Sequence, residues 1–202
     1  MSAGDDDFAL LGLPRRAALT TDEVRAAFQK AAAAVHPDHA ADAEEKDRRT
    51  ARFTRMNEAS ARISATTTRL RRLLALEYPD HAAAGRAVVM DEALVSLFTQ
   101  VGGAVQAAAQ WAAKQRGAAS FLAKAALAGQ EMVAREGLEA AGESIRAALG
   151  RQRDALVEID RRREANEPVA DELATLAQRA AFLEKWQVQL QSAWAGMFAA
   201  LD

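Results

Sequence analysis

The spacing of hydrophobic positions predicts helices along almost the whole chain. Apolar residues recur every three or four positions, which is the period of an amphipathic helix, and no sustained alternation of the kind that marks a strand is found. The single β-branched run, Thr66-Thr67-Thr68, is polar. The pattern therefore predicts an all-α protein.

Four helices are expected in the first part of the chain. The first covers Phe8–Leu11 and is closed by Gly12, a common helix stop. The second begins after an N-cap at Thr21 and ends at Val35, because Pro37 disfavours helical backbone at the residue before it. The other two are expected at about residues 43–65 and 70–76.

The second part of the chain reads as long amphipathic helices whose apolar stripes favour a helical hairpin or a three-helix bundle. The segment Asn166-Glu167-Pro168 predicts the turn into the last helix. We place an N-terminal domain at residues 1–77, a linker at 78–87 and a C-terminal helical domain at 88–202.

Composition narrows the class of protein. Half of the residues are hydrophobic, many of them alanine, and only 5% are aromatic, which favours closely packed helices. The net charge of −2 and the pI near 6.0 argue against a general nucleic-acid binder. The absence of cysteine excludes disulfides, thiol catalysis and cysteine-held zinc or iron–sulfur clusters on this chain. No paired carboxylates, nucleophile–base set or phosphate loop stands out, so neither an enzyme nor a cofactor is expected.

No membrane segment is expected. The first residues lack the basic-then-apolar order of a signal peptide, and no uncharged apolar stretch reaches the roughly 18–20 residues of a membrane span. The default expectation is a cytoplasmic protein without a membrane partner.

The tripeptide His36-Pro37-Asp38 is the strongest chemical signal. Pro37 restricts the backbone of the turn, and the imidazole and carboxylate on either side would be held at an exposed corner. An ordinary turn, with Asp38 as a helix cap, is the plain alternative. A metal site from His36, Asp38, His39 and Asp42 is less favoured, because Pro37 keeps the two histidines from lying one turn apart on a regular helix.

The placement of this tripeptide resembles the J domain. A short first helix, the stop Gly12-Leu13, a second helix ending just before His36, and Asn57-Glu58-Ala59 on the third helix carry the resemblance. The resemblance implies an antiparallel pair of helices with the tripeptide at its tip. It also implies that the tripeptide engages a DnaK-type chaperone in its ATP state and shifts that partner towards hydrolysis.

The second helix departs from the usual J domain. The family carries a basic face there, whereas this chain keeps only Arg25 and Lys30. The implied chaperone-binding residues are His36, Pro37, Asp38, Arg25 and Lys30. Fewer positive charges predict slower and weaker association with an acidic partner surface.

Three further stretches resemble the HscB type of J protein, the co-chaperone of iron–sulfur cluster assembly. They are Phe28-Gln29, residues 71–76 and the last-helix group Leu176, Arg179 and Phe182-Leu183-Glu184-Lys185. This resemblance implies an L-shaped protein whose C-terminal helices bind the cluster scaffold protein. The implied client-binding residues are Leu94, Val95, Phe98 and Phe182.

The C-terminal part also departs from that type. Thr99-Gln100-Val101-Gly102-Gly103 stands where the family has several acidic residues, and the C-terminal part is longer than usual. Extra residues near Arg116-Gly117-Ala118 would lengthen a helical hairpin at its tip. A second register, with the helix starting at Phe121-Leu122, would make residues 88–116 an extra helix.

The sequence thus implies a co-chaperone, a monomer or weak dimer, for a DnaK/HscA-type chaperone, with an iron–sulfur scaffold as client. Two alternatives stay open. One is a J-domain adaptor for an unrelated client, and the other is a J-like interaction module that does not stimulate ATP hydrolysis.

Overall fold

The structure is a computed structural model that describes residues 6–35, 38, 40–83 and 90–201. Those residues form helices joined by short connections and contain no strand, so the all-α prediction is confirmed. None of the described helices is long and apolar enough to cross a bilayer. The helices are α1 Asp7–Leu11, α2 Thr21–Ala34, α3 Ala43–Ser64, α4 Thr66–Glu77, α5 Pro79–Ala83, α6 Glu92–Gly117, α7 Phe121–Ala125, α8 Ala128–Glu164 and α9 Ala170–Phe198.

Side-chain caps start the first three helices. The Asp6 carboxylate accepts hydrogen bonds from the backbone N–H of Phe8 (2.9 Å) and Ala9 (3.3 Å). The α2 cap is Thr20, which forms a reciprocal capping box with Glu23. The expected cap at Thr21 was wrong by one residue, because Thr21 is already the first residue of the helix.

Two helix boundaries differ from the sequence prediction. The α4 helix begins at Thr66 rather than near residue 70, so the threonine run is helical. A short helix, α5, occupies part of the segment expected to be a linker. The turn before the last helix is where it was predicted, and Asn166 enables it with a φ of 57°.

The chain forms two compact units that do not follow chain order. Unit 1 comprises Met1–Ala87 and Arg153–Arg179, and unit 2 comprises Val88–Gln152 and Ala180–Asp202. Helices α8 and α9 are thus each divided between the units. The domain boundaries expected from the sequence, at residues 77 and 88, would assign residues 153–179 to the C-terminal domain, whereas these residues belong to unit 1. The expected boundaries stay predictions.

The core of unit 1 draws on both of its segments. Phe8, Met56, Ile63 and Leu70 are buried together with apolar residues near the α8–α9 turn. These further core residues are Leu156, Ile159, Val169, Leu173, Ala174 and Ala177. The N-terminal helices therefore bury part of their apolar surface against residues far along the chain.

A buried carboxylate ties those two segments of unit 1 together. Asp160 of α8 accepts hydrogen bonds from the backbone N–H groups of Ala17 and Ala18, each at 2.8 Å between nitrogen and carboxylate oxygen. The Arg163 guanidinium donates to the same carboxylate at 2.8 Å and also pairs with Glu77. The connection between α1 and α2 is consequently fixed by a residue on α8.

Unit 2 is built from α6, the first part of α8 and the last part of α9. Trp111 and Val101 of α6, Leu138 of α8, and Leu183 and Leu190 of α9 are all buried in one core. All three helices therefore contribute to that core, as expected of a three-helix bundle.

Two contacts give the direction of the α6–α8 pair. Lys114 Nζ donates to Gln130 Oε1 at 2.8 Å, and a Cβ placed on Gly137 would lie 3.7 Å from the Ala104 Cβ. Lys114 of α6 contacts Gln130 of α8, and the earlier residue Ala104 of α6 lies beside the later residue Gly137 of α8. The two helices are therefore antiparallel. The hairpin turns after Gly117, near the place that the sequence predicted.

Candidate partner-binding sites

The connection between α2 and α3, residues 35–42, is called the corner of unit 1. The two helices pack on each other, with the rings of Phe28 and Phe53 at a centroid distance of 5.9 Å. A short connection, residues 35–42, joins them, so the packed pair is antiparallel. Asp38 lies in this connection with an exposed side chain, whereas His36 and Pro37 are outside the described residues.

Both ends of this corner are anchored. Val35 is buried in the core of unit 1, and its N–H donates to the Ala32 carbonyl oxygen at 3.1 Å. At the other end, Asp42 Oδ1 caps α3 by accepting from the Glu45 N–H at 2.7 Å. The Glu45 carboxylate accepts from the Ala41 N–H at 2.7 Å, and this bond, with a further contribution from Arg49, lowers the pKa of Glu45. The described residues at the two ends of the corner are therefore fixed to α2 and α3.

The basic residues near the corner are partly neutralised by their own helices. Arg25 and Lys30 are both exposed on α2, and Arg25 Nη1 lies 3.4 Å from Asp22 Oδ1. On α3, Arg48 pairs with Glu44, and Arg49 pairs with Glu45. Six basic side chains on α3 face four acidic ones in its sequence, so the excess of positive charge is small.

Two of the four ligands of the alternative metal site lie outside the described residues. No group of three or more histidine, aspartate or glutamate side chains suited to a metal occurs among them. Asp42 serves as a helix cap instead, and His36 and His39 lie outside the part of the chain that is described.

An aromatic cluster in unit 2 joins two of the expected client-binding residues. Trp186 of α9 lies between them, with ring centroids at 6.1 Å from Phe98 of α6 and 5.6 Å from Phe182 of α9. Trp186 is buried, Phe182 is half-buried, and Phe98 is 56% exposed. Phe98 thus presents an aromatic ring to solvent on a rigid support.

The other two expected client-binding residues differ in exposure. Val95 is exposed and lies one helical turn before Thr99 on α6. Leu94 is only 4% exposed and belongs to the core of unit 2. Its side chain supports α6 from within, so it offers no contact surface to a partner.

Sequence analysis missed Trp186, which links the two phenylalanines. The signal was present, because Phe182 and Trp186 are four residues apart on one helix and such pairs share a face. The contact of Trp186 with Phe98, by contrast, depends on how α6 and α9 pack, which the spacing alone does not give.

Comparison with known proteins agrees with the resemblance to the J domain that the sequence showed. The DnaJ domain family matches residues 6–71, so the N-terminal part of this chain is a J domain. Over 77 residues, 37% of the chain, the sequence is 42% identical to the Co-chaperone protein HscB homolog of Chromobacterium violaceum. That match spans 44% of the relative's length. No solved structure matches the chain.

Proposed function

We propose that this protein is a cytoplasmic co-chaperone that stimulates the ATPase of a DnaK/HscA-type chaperone through its His-Pro-Asp corner. The exposed carboxylate of Asp38, in an anchored connection between antiparallel helices of a J domain, is the observation that carries the proposal. The protein would act by binding one state of its partner better than another, with no chemistry of its own.

The charges around the corner support a binding role of moderate strength. The Asp38 carboxylate can pair with basic groups of the chaperone, while Arg25 and Lys30 offer positive charge to an acidic surface. Because Arg25 is already close to Asp22, the attraction from α2 is reduced. We therefore expect stimulation that falls as salt is raised, with slow association even at low salt.

The test is the steady-state ATPase rate of a DnaK-type chaperone with and without this protein. His36→Gln and Asp38→Asn should each lower the stimulation by about tenfold or more, since each changes a side chain of the proposed trigger and Asp38→Asn removes its negative charge. Asp47→Asn is the matched control, because Asp47 is an exposed carboxylate on α3. Full stimulation by both corner variants would reject the corner as the trigger.

We further propose that the client is an iron–sulfur cluster scaffold protein, bound at the aromatic cluster of Phe98, Trp186 and Phe182. The Chromobacterium violaceum relative is named an HscB homolog, and the resemblance to the HscB type implies a scaffold protein as client. The exposed ring of Phe98 and the side chain of Val95 give an apolar contact surface, and the buried Trp186 packs against Phe98. Aromatic anchors of this kind dominate many protein interfaces.

Binding of a purified scaffold protein tests the client. Phe98→Ala should weaken binding by roughly tenfold or more, as truncation of an interface anchor does. Val188→Ala is the control, because Val188 is equally exposed on α9 of the same unit but is not part of the cluster. A scaffold that does not bind the wild-type protein would remove the iron–sulfur assignment and leave the ATPase proposal intact.

One observation favours a second candidate, a J-domain adaptor for a different client. The segment after Phe98 is Thr99-Gln100-Val101-Gly102-Gly103, which has no acidic side chain to complement a basic scaffold surface. In that case a different protein would bind the aromatic cluster, and Phe98→Ala would weaken capture of that protein instead.

A further inference from the structure

The turn between α6 and α8 is unusually exposed for its apolar content. It comprises residues 118–127 and contains the short helix α7, whose N-cap Ser120 accepts from the Ala123 N–H at 3.2 Å. Residues 121–126 are all exposed. Phe121 is 88% exposed and Leu122 is 80% exposed, more than any other large apolar side chain among the described residues.

More apolar surface continues from the turn onto α8. Met132 and Val133, on the first turns of that helix, are also more than half exposed. Half of the large apolar side chains that exceed half exposure in the described residues therefore fall within residues 121–133. Patches of this kind mark interaction sites in water-soluble folds.

The charges around this turn are positive. No aspartate or glutamate occurs between Glu92 and Glu131, whereas Lys114, Arg116 and Lys124 are basic and exposed. Glu131 is paired with Arg135, its carboxylate oxygen lying 2.8 Å from a guanidinium nitrogen. The hairpin tip, meaning Lys114, Arg116, Phe121, Leu122 and Lys124, thus combines two protruding apolar side chains with three cations.

We propose that the hairpin tip docks on a membrane surface that contains anionic phospholipids. The Phe121 and Leu122 side chains would enter the boundary between headgroups and acyl chains, and the three cations would lie at the level of the anionic headgroups. Attachment of this kind needs no spanning segment. No membrane partner was expected from the sequence, because no spanning segment was found in it. The proposed docking replaces that expectation.

The shape and charge of the tip favour a lipid surface over a protein. A stable protein interface buries about 800 Å² on each partner, and a turn of so few residues, of which only 119–126 are exposed, offers much less. A second copy that presented the same tip would bring Lys114, Arg116 and Lys124 against their equivalents, and like charges in contact oppose association. A lipid bilayer has neither restriction.

Co-sedimentation of the full chain with vesicles tests the proposal. One set is phosphatidylcholine alone and the other is an equal mixture of phosphatidylcholine and phosphatidylglycerol. We expect binding to the anionic vesicles, weak binding to the neutral ones, and a steep loss of binding as salt is raised. The double variant Phe121→Ser/Leu122→Ser should bind anionic vesicles about tenfold more weakly or worse, and Lys124→Glu about fivefold more weakly.

Two matched variants serve as controls. Val188→Ser removes an exposed apolar side chain elsewhere in unit 2, and Arg151→Glu reverses an exposed cation farther along α8. Both should bind as the wild type does, and circular dichroism of all variants should be unchanged. Wild-type protein that stays in the supernatant, or a double variant that sediments equally well, would overturn the proposal. So would self-association that the double variant abolishes in the absence of vesicle binding.

Discussion

The two compact units are stabilised by different kinds of contact. Unit 1 buries polar and charged side chains, among them Asp6, Asp7, Arg69 and Asp160, and several of these join segments far apart in the sequence. In unit 2, Gln115 and Gln152 are the buried polar side chains among the described residues, and no charged one is buried. Its core is mostly alanine and leucine, with two tryptophans.

This difference follows from the lengths of the helices. Apart from α3, the helices α1 to α5 of unit 1 have 14 residues or fewer and bury little apolar area each, so charge-assisted hydrogen bonds fix their connections and add to stability. The long alanine-rich helices of unit 2 pack closely along their length, so complementary packing of apolar side chains stabilises them without buried charges in the part of the chain that the structure describes. Unit 1 should therefore be sensitive to pH and to loss of single charges, and unit 2 to loss of packing volume.

The chromophores allow the units to be followed separately. All three tryptophans, Trp111, Trp186 and Trp194, lie in unit 2, whereas unit 1 contains the only tyrosine, Tyr78. Tryptophan emission during unfolding therefore reports on unit 2. Far-ultraviolet circular dichroism reports on the helices of both.

The largest effect is expected from a cavity in unit 2. Leu138→Ala removes most of a fully buried side chain and should lower the free energy of unfolding by about 3–4 kcal/mol. Urea titration followed by tryptophan emission measures this loss. Glu139→Ala, at the next and exposed position of α8, should change the value by less than about 0.5 kcal/mol. A loss below about 1 kcal/mol for Leu138→Ala would mean that unit 2 is not closely packed.

The second effect is expected from the buried carboxylate of unit 1. Asp160→Ala leaves the N–H groups of Ala17 and Ala18 without their acceptor and removes a partner of Arg163. We expect a loss of about 3 kcal/mol, because buried donors and a buried cation lose their compensation. The exposed Asp154→Ala on the same helix is the control.

Two probes sharpen this second prediction. If unit 1 unfolds by itself in Asp160→Ala, circular dichroism will fall at a lower urea concentration than tryptophan emission changes. Coincident transitions would show that α8 and α9, which contribute to both units, unfold as single elements. A stability equal to that of Asp154→Ala would contradict the role given to Asp160.

The third effect concerns acid stability through Asp7. Burial acts to raise the pKa of Asp7, but hydrogen bonds and charge from Arg62 and Arg72 outweigh it, so this pKa lies below the ordinary value of 3.8. Because the pKa of Asp7 is lower in the folded state than in the unfolded state, its stabilisation is fully present above the unfolded-state pKa. This stabilisation is lost as the pH falls through the folded-state pKa. Unit 1 should therefore lose stability in strong acid.

Substitution isolates this contribution. Asp7→Asn keeps the shape of the side chain but removes the charge beside both guanidinium groups, which lie at 2.8 Å and 2.9 Å from its oxygens. We expect a loss of about 2 kcal/mol at neutral pH and a weaker dependence on acid. Thermal unfolding of this variant and of the exposed Asp80→Asn, as a function of pH, measures both. If stability depends on acid in Asp7→Asn as it does in the wild type, the acid sensitivity comes from groups other than Asp7.

Residues close in sequence were predicted well, and residues joined across the fold were not. The period of apolar residues and the stops at Gly12 and Asn166 are local signals, and they located most helices. The role of Asp160 depends on backbone groups more than 140 positions away, so no local pattern announces it. The sequence likewise suggested Phe98 and Phe182, but the burial of Leu94 and the position of Trp186 depend on how three helices pack.

The start of α2 gives the smallest effect and tests a boundary that the sequence analysis misjudged by one residue. Two threonines stand side by side, but only Thr20 has glutamate three positions later, and the structure shows that capping box with the Glu23 N–H donating to Thr20 Oγ1 at 3.1 Å. Thr20→Ala should therefore lower the free energy of unfolding by about 1 kcal/mol. Thr21→Ala should change it by less than about 0.5 kcal/mol, since Thr21 is exposed in the first turn. Because the cap belongs to unit 1, the loss should be visible by circular dichroism, and a larger effect at Thr21 would return the cap to the position first predicted.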